Sequence, residues 1–109
     1  MVKFPTTPVP VAPSPSTMMR LTTEGYDQAT LEVFNTDVSQ VLTVSVWRSA
    51  TRDGELSESP TTLFYAIQPG KSKCVDLDVS GSLRLELRGV ASGAGLTAEV
   101  GGNLRRRTP

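Results

Sequence analysis

Few side chains of this chain could do chemistry, and most of those are carboxylates. Asp76 and Asp78 stand two apart in the alternating run Lys73-Cys-Val-Asp-Leu-Asp-Val79, so both point the same way. Glu86 and Glu99 fall on outward positions of neighbouring alternating runs. Such a cluster could hold calcium through hard oxygen ligands or work as a general acid/base pair. The spacing favours a plainer reading: solvated charges paired across strands with Arg84 and Arg88. Cys74 is the one cysteine, and the chain has no histidine to activate it. Those two counts exclude a Ser-His-Asp or Cys-His nucleophile, a histidine metal site, a CxxC zinc site and an intrachain disulfide. Ser80-Gly-Ser82 and Ala91-Ser-Gly-Ala-Gly95 open no helix, so they read as hairpin turns rather than phosphate cradles. No enzyme, cofactor or metal is expected.

The elements that must position these residues are strands. At 109 residues the chain is one domain at most, and 38% apolar with 20% charged residues suits a folded one. From residue 18 onward the hydrophobic period is close to two. Seven runs follow: Met18–Thr23, Ala29–Asn35, Val41–Trp47, Thr62–Gln68, Lys73–Val79, Ser82–Arg88 and Leu96–Val100. Turns are expected at Glu24-Gly25, Thr36-Asp37, Pro69-Gly70, Ser80-Gly81 and Gly89–Gly95, with a long polar loop over 48–60. Inward positions are Leu31, Val33, Leu42, Val44, Val46, Leu63, Tyr65, Ile67, Val75, Leu77, Val79, Leu83, Leu85, Leu87, Leu96, Ala98 and Val100. One apolar and one wet face per strand implies antiparallel sheets packed in a pair. The expected fold is all-β: an antiparallel β-sandwich of about seven strands over residues 18–104, immunoglobulin-like or jelly-roll-like.

The two ends differ from this body. Five of the eight prolines lie in residues 1–15, which makes residues 1–17 an extended, polyproline-like arm. Prolines at this density forbid the apolar helix of a signal peptide, so export by that route is not expected. A free Cys74 agrees with a reducing cytosol. Residues 105–109 form a short basic tail, with Gly101-Gly102 ending the last strand before it. The formal charge of zero hides a polarity: residues 18–104 hold seven basic groups against all eleven acids, and the ends hold Lys3 and three arginines. Basic ends on an acidic body can attach to a neighbour's acidic surface. Three arginines without interleaved aromatics are a small footprint for nucleic acid, and no run of about 20 apolar residues suggests a membrane span. Phe34, Trp47 and Phe64 all have parity opposite to the core set, which suggests a second apolar surface, an oligomer interface or, less simply, a glycan-binding platform.

The layout resembles the small β-sandwich proteins of tailed-phage virions, capsid decoration or cement proteins above all. The likeness lies in the arm Phe4-Pro-Thr-Thr-Pro-Val-Pro10, the short strands, Ile67-Gln-Pro-Gly70 before an alternating strand, and the lack of catalytic residues. The chain differs in having no strongly acidic or conspicuous trimer-forming segment. The resemblance implies a structural subunit on the outer capsid surface, assembled in the host cytoplasm, with the major capsid protein, other virion proteins and copies of itself as partners. It makes the arm (Phe4, Pro5, Pro8, Pro10) and the tail (Arg105, Arg106, Arg107) tethers, and Trp47 and Phe64 contacts. The alternatives are a head–tail connector or tail accessory protein, and a carbohydrate-binding or adhesin-like sandwich.

Overall fold

Alternation with a period of two buries one side of each run, and the computed structural model shows what that side is buried against. It describes residues 2–51, 56–58 and 64–106. The strands are β1 (Val2–Val11), β2 (Ser16–Thr22), β3 (Gln28–Asn35), β4 (Leu42–Ser49), β5 (Ser57–Glu58), β6 (Phe64–Ile67), β7 (Ser72–Asp78), β8 (Arg84–Ala91) and β9 (Leu96–Arg105). One sheet runs β1-β9-β3-β7. The other runs β2-β8-β4, with β5 and β6 both on the far edge of β4, so each sheet is four strands wide. All pairings are antiparallel.

The pairs nest. β1 pairs β9, β2 pairs β8, β3 pairs β7 and β4 pairs β6. That is one long hairpin rolled into two layers, the jelly-roll order, and it decides between the two sandwich types expected. The core between the layers includes Leu31 and Val33 of β3, Leu42, Val44 and Val46 of β4, Leu85 and Leu87 of β8, and Leu96, Ala98, Val100 and Leu104 of β9. Each of these is at most 3% exposed. Val75 and Leu83, expected inward, are only half-buried, because β7 is a sheet edge and Leu83 precedes β8. Leu63 and the Tyr65 side chain lie outside what is described.

The expected separation of an arm over 1–17 from a domain over 18–104 is corrected. Residues 2–11 are a strand of the sandwich, paired with β9 from Val2↔Leu104 to Val11↔Leu96. Val11 is buried, and Phe4 and Val9 pack against the core. Proline is tolerated here because β1 is an edge strand with one neighbour. Backbone N–H groups alternate in direction, so Pro8 and Pro10 both lack theirs on the same side, while Val9 and Val11 retain donors for β9. The boundary at residue 17 falls inside β2.

Two glycine assignments also change. Gly89 does not begin a turn; β8 continues to Ala91. A Cβ on Gly89 would sit 2.4 Å from the Met18 sulfur, so the glycine makes room for a core side chain. Gly101 and Gly102 do not end the last strand, which continues to Arg105. A Cβ on Gly102 would meet the Thr30 carbonyl oxygen at 2.1 Å. The expected turns at Gly25, Gly70, Gly81 and Gly95 are present, each with φ between +73° and +86°.

Candidate functional site

In β4, Leu42, Val44 and Val46 face the core, so Thr43, Ser45 and Trp47 face outward. Trp47 is half-buried there. Its indole N–H donates to Ser45 Oγ at 3.0 Å. The neighbouring strand is β8, with Trp47 opposite Glu86 and Ser45 opposite Arg88. The Arg88 guanidinium lies 4.1 Å from the centre of the Trp47 ring, a cation–π contact. Arg88 also donates to Glu86 Oε2 at 3.1 Å. The other carboxylate oxygen accepts from the Thr17 hydroxyl and, at 3.5 Å, from Arg20 Nε. Thr17 and Arg20 come from β2, on the far side of β8.

Two strands therefore hold Glu86, β2 through Thr17 and Arg20 and β8 through Arg88, and its side chain is only 5% exposed. Burial pushes its pKa up, but the Thr17 hydrogen bond, the Arg88 hydrogen bond and charge, and Arg20 outweigh that and hold it below the ordinary carboxylate value. A carboxylate held ionised in this way is a poor general acid at neutral pH. It is a good anchor: it fixes Arg88, and Arg88 fixes the tryptophan. An open cleft of about 500 Å³ adjoins the cluster, bounded by Arg20, Arg84 and Glu86 over Leu21, Leu56 and Leu85. The arrangement suits binding, since tryptophan and arginine are both enriched among the residues that anchor interfaces.

The other expected site residues are placed elsewhere. Phe4 is half-buried against the core, and Pro5, Pro8 and Pro10 are exposed along β1. Phe64 opens β6 opposite Ser45, on the strand beside Trp47, and its side chain lies outside what is described. Arg105 is not a free tail residue: it ends β9 and donates to Gln28, Thr30 and Asn103. Arg106 donates to the Gly25 carbonyl at 2.8 Å and lies 5.6 Å from the Tyr26 ring. Both arginines thus engage their own chain. Arg107 lies outside the described residues.

The carboxylates read together from the sequence are separated. Glu86 is on the β2-β8-β4 sheet, and Asp76, Asp78 and Glu99 are on the other. Asp76 accepts from Thr30 and sits 3.6 Å from Arg105. Among the described residues, no group of three Cys, Asp or Glu is placed to hold a metal. The aromatics are separated too, because Phe34 and Trp47 belong to different sheets and so lie on opposite faces. Thr17 and Arg20 were not anticipated as site residues. Their role follows from β2 lying beside β8, for which the local sequence carries no signal. Comparison with known proteins finds no matching family model and no matching curated sequence.

Proposed function

We propose that this chain is a non-enzymatic structural protein that binds protein surfaces, and that it serves as a decoration or cement subunit on the outer capsid surface of a virion. The observation that carries the reading is the Trp47 face. Trp47 is locked by Ser45 and Arg88, and Arg88 is locked by the buried Glu86. Such pre-ordering lowers the entropy cost of docking. The virion assignment rests on the resemblance in layout, and on fold analogy, since jelly rolls recur in viral capsid domains and also in lectins. With β1 held in its own sheet, docking is assigned to this face rather than to a free arm. Many copies, each adding a modest interface, would stabilise a shell through multivalency.

The test is sedimentation of a native lysate with fractions probed for this chain. Recovery with a megadalton particle is expected, and Trp47→Ala is expected to weaken that binding about 30-fold, a loss of ~2 kcal/mol. Recovery of the native chain only as an 11.7 kDa monomer or small oligomer would overturn the reading. Glycans that quench Trp47 fluorescence, with no particle bound, would move the assignment to a carbohydrate-binding sandwich.

A further inference from the structure

The two outward faces of the sandwich carry opposite charge, one around Phe34 and the other around Trp47. On the β1-β9-β3-β7 sheet, Phe34 is 40% exposed. Its register neighbours are Ser72 and Glu99, and Glu32, two residues back on β3, shares its face. Asp76 and Asp78 extend the same face along β7, so four acids stand there against Lys3 and Arg105. On the β2-β8-β4 sheet, Arg88 lies over Trp47, and Arg20 and Arg84 share that face, three arginines against the buried Glu86 and Glu58, the register partner of Trp47 on β5.

We infer that a second copy of this chain docks on the Trp47 face, through its own Phe34 face. The inference rests on the reading of the Trp47 face as a protein-docking surface, and in a stack seated on a shell it leaves the end copy's Trp47 face to the capsid. Like against like would set arginines against arginines or carboxylates against carboxylates, which costs affinity. Opposite faces set the Arg20, Arg84 and Arg88 group against Glu32, Glu99 and Asp76, and cover an exposed phenylalanine. The contact is heterologous, so sandwiches stack in one direction and the association does not stop at two unless the stack closes into a ring.

The test is sedimentation velocity on the full chain over a concentration series. It is run at about 10 mM salt, where charges act over roughly 30 Å, and at about 1 M, where they act over roughly 3 Å. Species larger than a dimer are expected at low salt and monomer at high salt. Arg20→Glu spoils one face and Glu32→Lys the other. Both side chains are solvent-facing, that of Arg20 being 79% exposed. Each variant, folded by circular dichroism, is expected to lose about tenfold or more in self-association. An equal mixture is expected to regain one contact per pair, a one-to-one dimer, because each supplies the face the other lacks. A native chain that stays monomeric at low salt, or a dimer that Arg20→Glu leaves unchanged, would overturn the inference. Loss of particle binding by Trp47→Ala is a separate readout. If that loss is seen without self-association, the docking face stands and the second copy does not.

Discussion

Asp76 and Glu86 occupy equivalent places in two equally regular alternating runs, yet they end in different surroundings. The Asp76 side chain is 74% exposed, with Thr30 and Arg105 as its partners. The Glu86 side chain is 5% exposed and anchored from two strands. Alternation assigns both outward, and both are outward. The difference is the position of the strand in its sheet. β7 is an edge strand with β3 on one side only, whereas β8 lies between β2 and β4 and is overlaid by their long side chains. An outward position on a central strand can be a buried one.

That contrast can be broken at three depths. The largest effect is expected at the backbone of the acidic sheet. Gly102→Ala puts a Cβ against the Thr30 carbonyl, and should cost about 3 kcal/mol or more and lower Tm by roughly 15 °C, read by thermal melting.

Glu86→Gln comes next. Removing the charge that Thr17, Arg20 and Arg88 satisfy should cost about 2 kcal/mol in a urea titration. The same pair of proteins tests the pH dependence. The folded-state pKa of Glu86 is depressed, so its contribution is fully present above the ordinary value of about 4.3 and is lost as pH falls through the folded value. Native stability should therefore fall more steeply than that of Glu86→Gln across that acid window. Equal slopes would mean that the carboxylate gains nothing from its partners.

The smallest effect is expected at Asp76→Asn, within about 0.5 kcal/mol, because a solvent-screened ion pair on an edge strand contributes little. A cost at Asp76 matching that at Glu86 would remove the distinction between edge and centre.

Much of the fold is legible in the chain. The runs that became β2, β3, β4 and β6 to β9 alternate because one face of each must be apolar, and Leu31, Val44, Leu85 and Val100 mark that face without ambiguity. β1 is not legible, since prolines that argue for a free arm are equally at home on an edge strand, and only pairing with β9 distinguishes the two. The glycines of β8 and β9 mislead for a related reason: they answer to Met18 and Thr30, which are distant in sequence. For the site, the outward parity of Trp47 is readable. Its arginine cover and the acid behind it are not, because β4 and β8 lie about 40 residues apart and nothing local declares them neighbours. Phe34 and Trp47 look alike in parity, and they part only when β3 and β4 are seen in different layers.

The nested pairing also sets an order of events during synthesis. β1 leaves the ribosome long before the strand it needs: Leu96 comes 85 residues after Val11, and Leu104 comes 102 residues after Val2. Until then a proline-studded segment waits without a partner, and the prolines that deny it a backbone donor along one side also make it a poor template for stray strands. The domain cannot close as it is made. It closes only once β9 has emerged, in the slow regime typical of chains whose contacts span their whole length.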